Sequence, residues 1–322
     1  MIIFRAKKHL FFVILISLLL FHSGFAQELQ STKSNEPQPI KVAEGLYVLE
    51  DSGCNITVST GPDGTLVIDS GYKSQAEQNK ARIAAISPGP IRFIINTHFH
   101  YDHVGGNGLF AKEGAIIVAH ENARMRMSEE WKGAEILGMT WPTIPPYPKN
   151  FIPTLCFKKD LTIHFNNDIV RISHVPGGHS DSDAIIFFRK SHVIHVGDLF
   201  LSHSFPIIDI FHGGSVSCYI AGIDRIIGMC DDETTIIPGH GPISDLEDLR
   251  SYRNMLILAR DRIEKLMEEG KTLEEIVAAD PTAGLLKDEQ KSWLPPKIFV
   301  YCVYQELLEH SKTLERHGTT ET

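Results

Sequence analysis

The chain is predicted to fold as a mixed α/β (α+β) domain with two β-rich halves and helices on the outside. Three observations lead there. Short runs of β-branched and apolar residues alternate with amphipathic stretches of helical length along most of the chain. The 322 residues are 43% hydrophobic and 22% charged, enough to bury a large core. Residues with metal-ligand chemistry follow several of the apolar runs directly, as expected where strand exits gather on one edge of an α/β sheet.

The N-terminus stands apart. Arg5, Lys7 and Lys8 precede an apolar run from Leu10 to Phe21 that ends near Gly24-Phe25-Ala26. A positive start, an apolar stretch of about a dozen residues and small residues at its end describe a secretory signal peptide, 1–26, and a periplasmic or secreted mature chain. The run is short of the roughly 20 apolar residues that span a bilayer. No Cys follows it, which argues against a lipid anchor. Gln27 to Pro39 is polar, contains Pro37 and Pro39, and reads as a disordered lead-in, 27–39.

The domain proper is expected over 40–317. Leu46 to Glu50, Ile56 to Thr60 and Thr65 to Asp69 read as strands, with Gly61-Pro62-Asp63-Gly64 turning between the last two. Ser74 to Ile86 reads as a helix capped by Ser74 and stopped at Pro88. Strands follow at Ile91 to Ile95 and Ala115 to Val118, then a helix at Glu121 to Trp131 with His120 as its cap or a packing residue. Gly138 to Pro153 holds Trp141, Pro142, Pro145, Pro146, Tyr147, Pro148 and Pro153. Such a run excludes a helix or a central strand, leaving a rigid surface connection or a pocket wall in which Trp141 and Tyr147 face substrate. Further strands are expected at Leu161 to Phe165, Ile169 to Ser173, Ala184 to Phe188, His192 to Val196 and Thr234 to Ile237, with a helix from Ser215 to Met229. Asp245 to Leu314 reads as a mostly helical covering layer, interrupted near Pro281 and Pro295-Pro296.

The chemistry concentrates in His98-Phe99-His100-Tyr101-Asp102-His103, directly after an apolar strand. Imidazole and carboxylate together suit a borderline divalent ion such as zinc. His98 and His100 are two apart, so in extended chain they point the same way. Asp102 and His103 lie just beyond, where a turn can aim them at a second point. Three further segments share a form: β-branched residues, then Gly, then a ligand-type residue. They end at His179 (Gly177-Gly178-His179), Asp198 (Val196-Gly197-Asp198) and His240 (Pro238-Gly239-His240), and each is expected at a strand exit. The natural reading is two metal ions side by side. His195 alternates within an apolar strand and reads as a core histidine. His203 and His212, just after Asp198, are candidate substrate contacts.

Thr97 to Asn107, Pro176 to Asp183, Gly197-Asp198 and Pro238-Gly239-His240-Gly241-Pro242, in this order, resemble the metallo-β-lactamase superfamily of metal-dependent hydrolases. The resemblance spans about Ile40 to Leu246. It implies an αββα sandwich: two mixed β-sheets flanked by helices. It also implies that His98, His100 and His179 hold a first zinc ion, that Asp102, His103 and His240 hold a second, and that Asp198 bridges them. One large group of zinc β-lactamases carries Cys where Asp198 stands; Asp there is similar to glyoxalase II-like and lactonase-like members.

Two divalent ions about 3.5–4 Å apart can share a water and lower its pKa to about 7, giving hydroxide for attack on an ester, thioester, lactone or amide carbonyl. Asp102 would both bind metal and orient that nucleophile. No Gly-x-Ser-x-Gly elbow is present. β-Lactam hydrolysis is one option, against which stand Asp198 and the short Glu50–Ile56 connection. A persulfide dioxygenase with a single iron is a second reading, and a non-catalytic binding module a third.

The net charge is −9, and loss of Arg5, Lys7 and Lys8 with the leader takes it to about −12. That disfavours nucleic acid or an anionic membrane as partner and leaves a small molecule. The five cysteines are odd in number and scattered, so buried free thiols are the default for most. Oligomeric state is not legible in the sequence.

Overall fold

The computed structural model describes residues 37–87, 89–286 and 294–318. The expected leader, 1–26, and nearly all of the lead-in, 27–39, lie outside the described residues. The body from Pro39 onward is built on two sheets. The first has seven strands: β1 Ile40–Ala43, β2 Leu46–Leu49, β3 Ile56–Gly61, β4 Gly64–Ile68, β5 Ile91–Ile95, β6 Ile116–His120 and β9 Leu155–Phe157, side by side in that order. Strands β1 to β4 pair antiparallel, and β4, β5, β6 and β9 pair parallel. The second sheet runs β10 Asp160–Phe165, β11 Asp168–His174, β12 Ala184–Phe188, β13 Val193–Leu201 and β14 Thr235–His240. Its first four strands pair antiparallel, while β13 and β14 pair parallel. Both sheets are therefore mixed.

Period-two alternation explains the stacking, because successive strand residues face opposite sides. In β4, Leu66 and Ile68 face the space between the sheets, where they meet Val170, Ile172, Ile186 and Phe188 of the second sheet. Val67 faces the other way, against Ile83 of α1 (Ala76–Ile86) and Phe110 of α3 (Asn107–Lys112). In β12, Ala184, Ile186 and Phe188 point inward. Ile185 and Phe187 point out to α5 (Val216–Ile227), α6 (Leu246–Glu268) and α8 (Pro296–Gly318). Helix, sheet, sheet, helix is the result, as the sequence resemblance implies.

Helix ends follow local chemistry. Ser215 caps α5 by accepting from Cys218 N, and His120 caps α4 (Glu121–Met127) by accepting from Asn122 N. Asp245 opens α6 with a reciprocal box: its side chain accepts from Asp248 N while Asp248 accepts from Asp245 N. Asp245→Ala is expected to lower stability by about 1 kcal/mol, read as a shift in a denaturant midpoint, with activity unchanged.

The structure corrects several expectations. Ser74 caps nothing: it lies in a 3-10 turn, Lys73–Gln75, and α1 begins at Ala76 after Gln75. The helix expected to reach Trp131 ends at Met127, after which the chain turns to pair Trp131 with Ile144. Within the proline-rich run, Met139–Trp141 (β8) pairs with Ala134–Ile136 (β7) as a two-stranded ribbon outside both main sheets. The C-terminal layer is helical as expected: α6, α7 (Leu273–Ala279) and α8, with its breaks around Pro281 and Pro295. All five cysteines are free, but only Cys54 and Cys302 are buried; Cys156 and Cys218 are exposed and Cys230 lies between.

Candidate metal centre

Both sheets feed the centre from one edge. Strands β4 and β5 run parallel with Ile68 beside Ile95, so the segments leaving them emerge together. These carry Asp69 and the His98 to His103 loop, of which Tyr101–Val104 forms one helical turn, α2. In the second sheet, β13 and β14 run parallel with Gly197 beside Pro238, which sets Asp198 near His240. His179 comes from the β11–β12 connection, whose end is tied to the first motif by Ala184 N donating to Thr97 O at 2.8 Å.

One placement differs from the sequence reading. Asp198 is not at a strand exit but inside β13, where the register with β14 shifts on either side of Gly197. Gly197 has φ +53°, and a Cβ there would meet the Thr97 side chain at 2.7 Å. Glycine therefore permits the local kink that turns Asp198 into the site. Gly239 is needed for a different reason: a Cβ on it would lie 1.9 Å from Asp198 Oδ1.

All seven residues singled out in the sequence converge. His98, His100 and His179 offer one ligand atom each within 4.8 Å of one another, as do Asp102, His103 and His240. His100 Nδ1 lies 3.1 Å from His98 Nε2 and 2.8 Å from His179 Nε2. In the second group, Asp102 Oδ2 is 3.4 Å from His103 Nε2 and 3.1 Å from His240 Nε2. Asp198 faces both groups. Its Oδ2 is 4.0 Å from His98 Nε2 and 3.7 Å from His179 Nε2, while its Oδ1 is 3.2 Å from His103 Nε2 and 3.5 Å from His240 Nε2.

The donor set fits divalent metal on grounds internal to the structure. His103 Nε2 and Asp198 Oδ1 are both buried, sit 3.2 Å apart, and yet make no hydrogen bond. Two opposed polar atoms left so at the bottom of a pocket are what a shared cation would satisfy. The imidazoles also have their outer nitrogens engaged, which fixes the tautomer and turns a lone pair inward. His179 Nδ1 donates to Ile207 O at 2.7 Å, and His103 Nδ1 donates to Asp69 Oδ2 at 2.8 Å. His100 Nε2 donates to Asp209 Oδ2 at 2.9 Å. Thr97 Oγ1 donates to Asp69 Oδ2 at 2.7 Å, so its lone pair accepts from His98 Nδ1 at 3.0 Å.

Electrostatics divide the imidazoles into two kinds. Burial holds His98 well below the usual imidazole pKa and His179 down at about 4, with neighbouring imidazoles adding to the effect, so both are neutral ligands at pH 7. Burial also pushes His100 and His103 down. The Asp209 contact reverses this for His100, and Cys54, Asp198, Asp102 and Asp69, in that order, reverse it for His103. Against its own burial, Asp198 is held well below the usual carboxylate range by His103 and His240.

Asp69 and Asp209 are the functional residues that sequence reasoning missed. Asp69 is fully buried, follows β4, and collects Thr97 N, Thr97 Oγ1 and His103 Nδ1 at 2.7–2.8 Å. Asp209 joins His100 to His212, whose Nδ1 is 2.7 Å away. His212 thus acts on a ligand's partner while also lining the pocket; His203 is exposed and lines neither. His195 is a core histidine as expected, bonded through Nδ1 to Thr57 Oγ1. His174 and His120 stack on each other away from the centre, with centroids 3.6 Å apart. Burial raises the Asp183 carboxyl to about 7, although it accepts from Ser180 N and Ser180 Oγ and so braces the loop that carries His179.

A cavity of about 380 Å³ opens over the centre, with His100, Asp102, Asp198 and His240 at its base. Trp141, Pro142 and Ile144 from the proline-rich run line it. Tyr147 does not; it packs behind Trp131, whose ring stands edge-on to Phe99 at 4.6 Å.

Comparison with known proteins agrees with this geometry. Residues 49–263 match the model of the metallo-beta-lactamase superfamily. The linear primary-alkylsulfatase of Pseudomonas sp. (strain ATCC 19151) is 24% identical over 282 residues, covering 76% of this chain and 50% of that protein. The hydroxyacylglutathione hydrolase of Pelagibacter ubique (strain HTCC1062) is 28% identical over 113 residues, 35% of this chain and 37% of that one. Among solved structures, the stereoselective inverting sec-alkylsulfatase from Pseudomonas sp. superposes with a TM-score of 0.62 at 18% identity, over 83% of this chain and 50% of that one. The metallo-beta-lactamase from Pontibacter korlensis gives 0.55 at 16% identity, over 68% and 98%. The chain thus spans about half the length of the alkylsulfatases it matches and nearly the whole of a metallo-beta-lactamase. Fold, donor set and family match together show that the chain belongs to the metallo-beta-lactamase superfamily.

Proposed function

We propose that the protein is an exported hydrolase that works with two zinc ions and cleaves an ester, thioester, lactone or amide bond of a small molecule, β-lactams included among the candidates. The observation that carries this reading is the placement of Asp198, with one carboxylate oxygen toward each cluster of ligand atoms. His98, His100 and His179 would hold one ion, Asp102, His103 and His240 the other, and Asp198 both. When bound, the ions supply a Lewis acid for the substrate oxygen and lower the pKa of water. The protein supplies the rest. Asp102 turns Oδ2 to His103 and His240, which leaves Oδ1 to accept a proton from the attacking water and fix its direction. The phenols of Tyr72 and Tyr101 stand at the pocket, both with pKa raised by burial and by Asp102, Tyr72 to about 12. They stay protonated at neutral pH and can donate to a substrate oxygen.

Metal analysis joined to a hydrolysis panel of β-lactams, lactones, thioesters and carboxylic esters tests the reading. Activity on none of them by the two-zinc protein would sink it. A sulfate ester belongs in the panel as a second reading, favoured by the likeness to a linear primary-alkylsulfatase over 76% of the chain. The acidic net charge favours such small molecules over nucleic acid.

Export rests on residues 1–26. Secreted or periplasmic material is expected to begin at or near Gln27; an intact mass that retains Met1 would contradict it. Among the described residues, no helix is long and apolar enough to cross a membrane.

Asp209→Asn offers a sharper check on the first metal position. His100 Nε2 and His212 Nδ1 both bond to Asp209 Oδ2 while Asp209 Oδ1 accepts from His212 N, so an amide, with one accepting oxygen and no charge, weakens the hold on His100. Affinity at one of two zinc positions is expected to drop about 10- to 100-fold, the scale for losing a ligand's hydrogen-bond partner. Competition with a chromophoric chelator reads it, and two unaltered affinities would refute the role.

A further inference from the structure

We infer that the substrate carries an apolar limb, an alkyl or aryl chain several carbons long, and that α8 and the β7–β8 ribbon select for it. This deepens the hydrolase reading above and rests on it for the position of the reacting bond.

The argument starts from what lies beyond the metal centre. Away from the ligand cluster and the two rim phenols, the cavity wall is made by Ile136, Trp141, Ile144, Ile207, Phe211 and Ile298. Asp209 and His212 line it beside His100, at the metal end, and among the remaining lining residues the charged side chain is the exposed Lys132. A substrate limb reaching away from the metals meets few hydrogen-bonding groups, chiefly Trp141 Nε1 and the Lys132 ammonium, among mostly apolar side chains. A polar limb would give up its water for little, whereas an apolar limb gains by burial. The cavity, at about 380 Å³, is within the range of small-molecule sites.

The wall is a built structure rather than a chance exposure. Ile136, Leu294 and Ile298 are buried together, with Met139, Trp141, Ile207 and Tyr301 packed against them. Lys297 Nζ donates to Leu137 O at 2.7 Å, which pins α8 to the turn of the ribbon, where Leu137 itself has φ +49°. Cys302, one turn further along α8, lines the same cavity and is held to Ile208 O through its thiol. Ile298 and Cys302 lie past residue 263, where the family match ends. The part of the wall supplied by α8 thus lies outside the family match, while Ile136, Trp141, Ile144, Ile207 and Phe211 lie within it. Phe211 is 57% exposed at the rim, a large apolar side chain placed where an entering chain would first touch.

The test uses the full zinc-loaded protein and a series of p-nitrophenyl esters from acetate to decanoate. kcat/KM is expected to climb about fourfold per added methylene, the worth of burying one CH₂, until the cavity is filled. Phe211→Ser, at a position 57% exposed, should flatten the longer end of the series about tenfold. Ile298→Ala should move the optimum to longer chains, with a melting curve to show that it folds. A second readout avoids turnover: decanoate added to metal-free protein should quench or shift the fluorescence of Trp131 and Trp141, and Phe211→Ser should weaken that binding. Ester hydrolysis with no chain-length dependence and no decanoate binding overturns the inference and leaves the hydrolase standing. Decanoate binding without hydrolysis of any member supports the apolar site and counts against the hydrolase.

Discussion

Metal-free protein titrated with zinc is expected to take up two ions per chain, and Asp198→Ala is expected to hold neither tightly. Two neutral imidazoles, His98 and His179, are already turned inward by bonds from their outer nitrogens, and His100 is turned by Asp209. The second group has two imidazoles and Asp102. Each group is three ligands, one short of the usual four for zinc, and Asp198 is the residue that faces both. Its removal takes one ligand from each ion and the only negative charge shared between them. Loss of a mere hydrogen-bond partner costs about 10- to 100-fold in metal affinity. Loss of a shared ligand should exceed that for both ions, by more than about 100-fold each. Elemental analysis after gel filtration gives the stoichiometry, and circular dichroism shows whether the variant still folds. A wild-type content of one iron per chain would overturn the two-zinc reading in favour of a dioxygenase. Gly239→Ala should imitate Asp198→Ala in part, because the added methyl would occupy the place of Asp198 Oδ1.

How much of this centre was legible follows from the range of the interactions. The seven ligand-type residues could be found because each is marked locally: three imidazoles and a carboxylate within six residues, then Gly immediately before His179, Asp198 and His240. The structure gives those glycines reasons that do not depend on pattern, such as the Asp198 oxygen beside Gly239. Strands β4 and β12 were legible because both their faces are buried, which leaves β-branched and apolar residues at nearly every position, and β5 because it is apolar but for the exposed Arg92. Asp69 and Asp209 were not legible. Each is a single acid at the edge of an apolar run, indistinguishable in sequence from a turn residue. The histidines they orient lie 34 and 109 positions away, a separation across which no periodicity carries information. The position of Asp198 inside β13 was missed because Gly after a β-branched run reads as a strand end, whereas here it kinks a strand that continues to Leu201. The β7–β8 ribbon was missed for another reason. Its three-residue strands are too short to show alternation, and they sit in a run whose prolines argue against sheet.

Asp102→Asn is expected to lower kcat by about 100-fold or more while the fold survives. The change keeps the shape of the side chain and removes its charge. Asp102 is half-buried at the base of the cavity, on the single helical turn after His100, where it packs against no core cluster. Its carboxyl is held well below the usual range: burial pushes it up, but the His103 charge and the close approach of His103 and His240 to Oδ2 win. The wild-type group is therefore an anion at any pH where the protein would work, able to serve as metal ligand and proton acceptor together. An amide can do neither well. Its oxygen is a weak ligand, and its nitrogen offers protons where the attacking water needs an acceptor. Loss of a positioned general base alone costs about 10²–10⁴-fold. The two roles separate in the measurement. If saturating zinc restores kcat, Asp102 acts mainly by holding the second ion; if both ions are bound and kcat remains low, it acts on the nucleophile. Asp63→Asn makes the control, since Asp63 sits in the β3–β4 turn and bonds only to Asn166 across to the second sheet. Near-full activity in Asp102→Asn with both ions bound would remove this carboxylate from the reaction and leave Asp198 as the sole acid at the centre.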